Sequence, residues 1–178
     1  MSDITTGTWQ LDPTHTEVGF TVRHIMSKVR GKFETFEGTL VTADDITAST
    51  VNVSVELASI NTGTADRDNH LRSGDFFNVE TNPTMTFAST GVVQKSDSDF
   101  VVTGDLTIKD ITKPFELTVE FLGEGKDPWG GTRVGVEATG QISRKDWGID
   151  FNIPLEGDKV MIGDKITITI NAEAVLQA

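Results

Sequence analysis

The side chains best suited to chemistry are concentrated in one short segment, residues 67–77, which reads RDNHLRSGDFF. With the preceding residue it carries five ionisable groups before its Ser-Gly pair, namely Asp66, Arg67, Asp68, His70 and Arg72. A Ser-His-Asp set is present in Ser73, His70 and Asp75, but no nucleophile elbow surrounds the serine. The sequence therefore disfavours hydrolysis and leaves binding or head-group chemistry as the use of these groups.

Residue spacing predicts that this segment is a short helix. Asp66 lies near its start and Arg72 near its end, which suits the helix dipole, and Gly74 follows as a left-handed C-terminal cap. Asp68 and Arg72 stand four residues apart with the acid first, which predicts a helical ion pair. Because so short a helix is marginal alone, it must rest on other elements.

The three histidines lie in different settings. His15 falls in a turn, His24 on the apolar face of a strand, and His70 on the helix. None has the spacing of a helical metal site, which favours a buried, hydrogen-bonded histidine or a polar contact at a cavity mouth over a metal ligand. The sequence predicts no metal site and no catalytic residue.

Most of the remaining chain alternates apolar and polar residues at period two, the pattern of strands with one buried face. Residues 17–24 and 51–57 alternate cleanly, and 166–171 more clearly still. Residues 29–42 change phase between Phe33 and Phe36, which predicts one bulged, curved strand. About eight or nine strands with one helix predict an all-β antiparallel barrel or sandwich.

Composition limits the function without choosing it. The 178 residues carry a net charge of −12 and no cysteine, which excludes disulfides and thiolate chemistry and argues against nucleic-acid binding and electrostatic docking on anionic bilayers. The first residues have neither a basic region nor an apolar run, so no signal peptide is predicted, and no segment is long enough to span a membrane. We expect one domain over residues 1–178 in the cytoplasm, without stable membrane insertion.

An eight-stranded barrel is the size that either fills its interior or holds one small ligand. The ten phenylalanines fill an ordinary core in one interpretation and line an apolar tunnel in the other. Glycines on the strands permit tight curvature and leave room inside, but they support curvature more strongly than a cavity. Periodicity leaves the choice open.

A series of motifs in this order resembles the YceI-like, polyisoprenoid-binding, lipocalin-like family over nearly the whole chain. The helix segment stands at the centre of the series. Around it lie W-x-L-D-x-x-H-T from residue 9, F-x-x-x-H from residue 20, G-x-F-x-x-F-x-G from residue 31, GDLT from residue 104, TKP from residue 112, DPWG from residue 127 and G-x-x-I from residue 163.

This resemblance implies an extended antiparallel barrel of about eight strands, with the short helix near its opening. It also implies a hydrophobic pore that binds a polyprenyl lipid or isoprenoid quinone without catalysis and without a cofactor. Members of the family are often dimeric and often exported. The absence of a signal sequence departs from the exported pattern. We expect the lipid as the binding partner of the protein and, separately, a homodimer.

Two sets of residues are predicted to bind the lipid. The tunnel wall is assigned to Phe20, Phe33, Phe36, Leu71, Phe76, Phe87 and Trp129. Polar contact to the head group is assigned to His24, Arg67, His70 and Arg72. Fixing the helix by ion pairing is an equally good role for its charged residues.

Three other functions stay open at this point. In the first, the barrel binds a fatty acid or fatty amide. In the second it is an enzyme acting on an isoprenoid or quinone head group through His70 with Asp68 or Asp75. In the third a solid barrel binds a partner on its surface.

Overall fold

The computed structural model describes residues 4–155 and 160–178 and consists mainly of antiparallel strands. The strands are β1 Gly7–Leu11, β2 Glu17–His24, β3 Ser27–Phe33, β4 Phe36–Thr42, β5 Thr50–Glu56, β6 Ile60–Asn61, β7 Thr84–Gln94, β8 Asp99–Ile108, β9 Ile111–Lys126, β10 Thr132–Ser143 and β11 Ile162–Leu176. The helix α1 spans Ala65–Arg72. Short 3₁₀ turns occur at Pro13–His15, Ile46–Ala48, Leu57–Ser59 and Arg144–Trp147.

The sheet closes into an eight-stranded barrel because β1 pairs with both β4 and β11. The order around the barrel is β1-β4-β5-β7-β8-β9-β10-β11, and β2, β3 and β6 extend the sheet from the other half of β11. Because β11 pairs with β2 through residues 162–171 and with β1 through residues 174–176, β1 and β2 act as one long, interrupted strand. The predicted all-β antiparallel barrel with one helix is confirmed.

The phase change predicted near residue 34 is a break between two strands rather than one bulged strand. β3 ends at Phe33 and β4 begins at Phe36, and both phenyl groups are buried. The backbone between them bonds to the neighbouring segment, with the Glu34 N–H donating to Ser59 O at 3.2 Å and the Glu56 N–H donating to Thr35 O at 2.9 Å. Because these two residues belong to neither strand, the alternation of inward-facing side chains shifts by one residue between β3 and β4.

Strand glycines lie beneath phenyl rings of the adjacent strand. A Cβ on Gly104 would lie 2.5 Å from the ζ carbon of Phe87, and one on Gly140 would lie 2.5 Å from that of Phe115. Phe20 covers Gly31 in the same way. At these positions the space that the glycine provides is occupied by an aromatic ring, a pairing that stabilises glycine in sheets. The expectation that these glycines leave empty room inside is wrong at these three sites.

The helix α1 ends differently from the prediction. Its C-terminal cap is Ser73 with an extended backbone, φ −76° and ψ 173°, and Gly74 does not adopt a left-handed conformation. Within the described residues no ion pair joins Asp68 to Arg72, because each side chain bonds to the chain before the helix instead. The predictions of a left-handed cap at Gly74 and of an Asp68–Arg72 ion pair are therefore wrong.

Packed side chains fill the end of the barrel at which α1 lies. Phe76, Ile108 and Trp147 belong to one buried cluster, and the Trp147 Nε1–H donates to Leu106 O at 3.0 Å. Buried Arg144 donates to the carbonyl oxygens of Ile149 and Phe151 in the connection between β10 and β11 and to that of Gly163 in β11. Burial lowers the pKa of its guanidinium. We refer to this end as the helix end.

Candidate functional site

An apolar cavity of about 220 Å³ lies inside the barrel. Its lining includes Leu40, Val102 and Ala172, which come from three strands spread around the barrel. The only polar residues in the lining are Thr42, Ser49 and Thr86, and no charged residue borders the cavity in the described chain. Such a space suits a hydrocarbon and offers no partner for a buried charge.

The cavity extends away from α1. It begins near Met85, Leu106 and Phe115 and reaches Ile4 and Ile46 at the end where β4 turns into β5. No residue of α1, all of which the structure describes, borders the cavity. Because the helix end is filled and the other half is hollow, the barrel is neither solid nor an open pore throughout.

Cavity size limits what fits without rearrangement. Pockets for drug-sized ligands usually measure about 300–1,000 Å³, and 220 Å³ lies below that range. A long chain therefore requires movement of lining side chains such as Met85, whose flexible thioether adapts to different shapes. A short hydrocarbon segment fits as the cavity stands.

Among the seven residues predicted for the tunnel wall, Phe87 lines the cavity. Phe33 and Phe36 are buried in a separate cluster with Leu57 and Ile60. Trp129 is 80% exposed in the turn between β9 and β10 and does not border the cavity. Its assignment to the wall is wrong.

The remaining wall candidates also lie outside the cavity lining. Phe20 packs against the Phe33 ring at a centroid distance of 5.6 Å. Phe76 and Leu71 belong to the packed helix end. These aromatic and aliphatic side chains therefore do not line the cavity. Their lipid-binding role stays a prediction.

The two arginines of the predicted head-group set bond to nearby chain. Arg67 donates through Nε to Thr62 Oγ1 and through NH2 to Thr62 O, both at 2.7 Å. Arg72 donates to Ala58 O at 2.8 Å and to Ile60 O at 3.1 Å. These bonds fix α1 to the chain between β5 and α1, and neither arginine borders the cavity.

The two histidines of that set are also separated from the cavity. His70 Nε2 lies 2.8 Å from Asp75 Oδ2, and the ring packs edge-on against Phe76 and Phe151. His24 is half-buried at the end of β2, opposite Ser27. The predicted polar cluster is therefore not assembled at a cavity mouth.

Asp68 has a structural partner instead of a catalytic one. Its buried carboxylate accepts hydrogen bonds from Thr62 N at 2.9 Å and from Thr62 Oγ1 at 2.5 Å. The Ser73 hydroxyl donates to His70 O at 2.6 Å rather than to the imidazole. Neither an Asp68–His70 pair nor a Ser73–His70–Asp75 triad is present.

A network of ion pairs on the barrel surface joins two motifs that are far apart in sequence. Arg133 NH1 lies 2.7 Å from Asp12 Oδ2 and 3.3 Å from Glu173 Oε2, and its Nε lies 2.9 Å from Asp127 Oδ2. Asp12 also accepts from Thr14 N at 3.0 Å. Sequence reasoning missed this network, although Asp12 and Asp127 each belong to a recognisable motif.

Three members of this surface region have ligand atoms close enough for a cation, namely Asp12, His15 and Glu173. The guanidinium of Arg133 already bonds to both carboxylates. It supplies the positive charge that a metal ion would bring, so the cluster is explained as a link between β1, β10 and β11.

The ion-pair network predicts a pH-dependent stability. Hydrogen bonds from Thr14 and then from Arg133 and His15 hold the pKa of Asp12 well below its usual range. A carboxylate with a depressed folded pKa stabilises the protein above its unfolded pKa of about 3.9, and loses that contribution as pH falls through the folded value. We expect Asp12→Asn to lower the thermal midpoint at neutral pH and to converge with the wild type as pH falls below about 4.

Thermal unfolding of the wild type and Asp12→Asn across this pH range measures the effect. Asp105→Asn, at an exposed position of β8, is the matched control and should show no convergence. A constant difference between Asp12→Asn and the wild type at every pH would contradict the assignment.

A cleft of about 630 Å³ on the barrel surface lies where β9 and β10 separate. The pairing of these strands stops at Thr118 and Thr139, although both strands continue toward the helix end. Phe115 borders both this cleft and the interior cavity. The phenyl group of Phe115 therefore lies between the surface cleft and the cavity.

The sequence matches the family model described as the YceI-like domain over residues 9–174. The chain belongs to the YceI-like family. A UPF0312 protein from Photorhabdus laumondii is 46% identical over 135 residues, which cover 75% of this chain and 70% of that protein. Protein YceI from Escherichia coli O17:K52:H18 is 40% identical over 165 residues, covering 92% of this chain and 83% of that protein.

Solved structures agree with this fold. The YceI protein of Campylobacter jejuni aligns with a TM-score of 0.74 at 30% identity, covering 100% of both chains. A domain from Saccharophagus degradans, described as a polyisoprenoid-binding domain, aligns with a TM-score of 0.70 at 15% identity, covering 95% of this chain and 98% of that one. The second likeness concerns the fold alone. Among the described residues of the YceI-like chain, no helix has the length and apolar character needed to cross a bilayer.

Proposed function

We propose that this YceI-like protein binds a long-chain isoprenoid lipid, a polyprenyl compound or an isoprenoid quinone, inside its barrel and without catalysis. The observation that carries the proposal is the apolar cavity inside the barrel, whose lining lacks any charged residue in the described chain. The description of the Saccharophagus relative as polyisoprenoid-binding supports the choice of ligand class.

The free energy of binding sets how many isoprene units must enter the cavity. Burying one five-carbon isoprene unit contributes about 4 kcal/mol gross, at about 0.8 kcal/mol per carbon. Association costs roughly 4–15 kcal/mol in lost translational and rotational freedom. Several units must therefore be buried for useful binding, and Met85 and its neighbours must move to admit them.

The cavity chemistry favours an uncharged isoprenoid over a fatty acid. A carboxylate inside the barrel would lack a cationic partner, which makes its burial costly. Ser49 is buried at the far end, where its oxygen accepts from Ala43 N at 3.1 Å. Because no acceptor for its own proton is found in residues 4–155 and 160–178, the Ser49 hydroxyl suits a neutral oxygen such as a quinone carbonyl.

Extraction of the purified protein with organic solvent, followed by mass spectrometry, tests the proposal directly. We expect an isoprenoid lipid to co-purify at a fixed ratio and to be replaced by an added short-chain isoprenoid quinone. Preparations that are consistently empty and that take up no quinone would rule the proposal out. Recovery of fatty acids in place of isoprenoids would favour the alternative function, in which the barrel binds a fatty acid.

Ser49→Ala provides a second test of the ligand chemistry. The loss of one hydrogen bond to a neutral acceptor should weaken quinone binding by about tenfold or less, since such a bond contributes about 0.5–1.5 kcal/mol. Binding of a plain isoprenoid hydrocarbon should not change. Equal losses for both probes would show that Ser49 acts through packing.

A further inference from the structure

Four exposed apolar side chains lie on neighbouring segments at one corner of the helix end. Ile25 and Met26 form the tip of the β2–β3 hairpin and are 49% and 89% exposed. The Ile25 N–H donates to Met161 O at 2.7 Å, and the Met161 N–H donates to Ile153 O at 3.0 Å. Ile153 and Val160, 44% and 47% exposed, therefore lie beside the hairpin. We call these four residues the apolar tip.

The two loop residues of this hairpin do not suit the conformation of its turn. His24 pairs with Ser27, which leaves Ile25 and Met26 as a two-residue loop. Ile25 has φ +56°, a conformation that is a steric outlier for a β-branched residue. Positive φ at the first loop position belongs to type II′ turns, where glycine is preferred. Folding of the hairpin does not account for isoleucine at this position.

The outer face of the same hairpin is basic in a chain whose net charge is −12. Arg23, Lys28, Arg30 and Lys32 are all exposed, and Arg23 lies directly opposite Lys28. Like charges placed opposite each other across two strands repel. None of the four makes an ion pair within the described parts of the chain. We call these residues the basic face.

Carboxylates near the hairpin are engaged elsewhere or distant along the strands. Asp164 lies 3.6 Å from Arg144 NH2 and 3.4 Å from Lys145 Nζ. Glu34 accepts from Asn61 Nδ2 at 2.8 Å. Glu17 lies at the other end of β2. Among residues 4–155 and 160–178, no carboxylate therefore pairs with the positive charge of the hairpin.

We infer that the apolar tip and the basic face together form a docking surface for anionic phospholipid bilayers. Large apolar side chains beside Lys and Arg are the combination by which peripheral proteins bind a membrane interface. The tip would enter the headgroup region while the basic face pairs with lipid phosphates. Net charge had argued against such docking, but the attraction acts within a Debye length, about 10 Å at 0.1 M salt, so the local charge decides.

Edge protection is a competing explanation for some of these cations. Within the described residues, β3 pairs on its second side only at Lys32 and Phe33, which leaves residues 27–31 as a free edge. Proteins often guard such edges with Lys against pairing with other chains. This explains Lys28 and Arg30 but not the exposed Ile25 and Met26, which would increase the risk of aggregation.

Vesicle co-sedimentation of the full chain tests the inference. The probes are vesicles of phosphatidylcholine alone and of equal parts phosphatidylcholine and phosphatidylglycerol. We expect binding to the anionic vesicles only, and loss of that binding as salt rises from about 0.1 M to about 1 M, where the Debye length falls to about 3 Å. This readout does not depend on whether the cavity holds a lipid.

The first variant removes charge from the basic face. Lys28→Gln with Arg30→Gln should weaken binding to anionic vesicles about 30-fold, because each cation near such a surface contributes about fivefold. Lys95→Gln with Lys113→Gln removes the same charge from exposed positions outside the hairpin and should have little effect. Self-association of the first variant with unchanged vesicle binding would assign the cations to edge protection and overturn the inference.

The second variant removes the two hairpin residues of the apolar tip without endangering the fold. Ile25→Gly with Met26→Ser supplies residues that the turn prefers, so the thermal midpoint should be kept or raised while vesicle binding falls at least tenfold. Val93→Ser with Leu122→Ser removes two other exposed apolar side chains and is the control. Absence of binding to anionic vesicles by the wild type, or equal binding by all variants, would overturn the inference.

Discussion

Ala172→Phe is expected to reduce isoprenoid binding about 100-fold while the barrel stays folded. Ala172 lies on β11 opposite Val136, is buried, and lines the cavity. A phenyl group there takes the space that a lipid segment needs. A factor of 100 corresponds to about 2.7 kcal/mol, less than the roughly 4 kcal/mol gross that one isoprene unit contributes. Titration of a fluorescent isoprenoid measures the change.

The neighbouring residue provides a control on the same strand. Asn171 is exposed on the outer face, so Asn171→Phe adds the same ring without entering the cavity. We expect its lipid affinity to match that of the wild type. The thermal midpoint of Ala172→Phe should change little, because the ring fills existing space rather than overpacking a dense core. Unchanged lipid binding by Ala172→Phe would show that the lipid binds elsewhere.

Asp68→Ala is expected to destabilise the protein by about 2–4 kcal/mol. The substitution removes the acceptor for both Thr62 N–H and Thr62 Oγ1–H. Buried donors left without partners cost about 1–3 kcal/mol each. Arg67 bonds to the same threonine, so the link between α1 and the preceding chain weakens further. Denaturant unfolding measures the loss.

Two comparisons separate this structural role from head-group chemistry. Asp66→Ala changes an exposed acid in the first turn of α1 and should alter stability by less than about 0.5 kcal/mol. Lipid affinity of folded Asp68→Ala should equal that of the wild type, since α1 does not border the cavity. A selective loss of lipid binding at full stability would instead support the head-group role predicted for the helix.

Sequence patterns predicted the strands well where one face is buried. Residues 17–24 form β2 with the predicted bounds, and β11 continues the Ile166–Ile170 alternation in both directions. Thr84–Gln94 form the single strand β7, because residues 84–88 pair with β5 and residues 86–94 pair with β8 across a bulge between Ser89 and Gly91. Local alternation does not record such pairing, so element ends are less predictable than element type.

The candidate site was predicted far less well than the fold. Phenylalanines and charged helix residues are prominent in the sequence, yet most of the cavity is lined by Val, Ile, Leu and Ala of the strands. Phe115 and Phe100 line it but were not selected, while exposed Trp129 was. An apolar residue looks the same in sequence whether it faces another side chain or an empty space.

Period-two alternation, glycine and proline positions and the family motifs are properties of the chain itself, and they determined an antiparallel barrel with one charged helix. Only the tertiary structure decided which end of that barrel is filled and which is hollow, and that Arg67, Asp68 and Arg72 bond to Thr62, Ala58 and Ile60 rather than to a ligand. The physical reason is that cavity volume and hydrogen-bond partners depend on distances between strands that are remote in sequence. No local pattern encodes those distances.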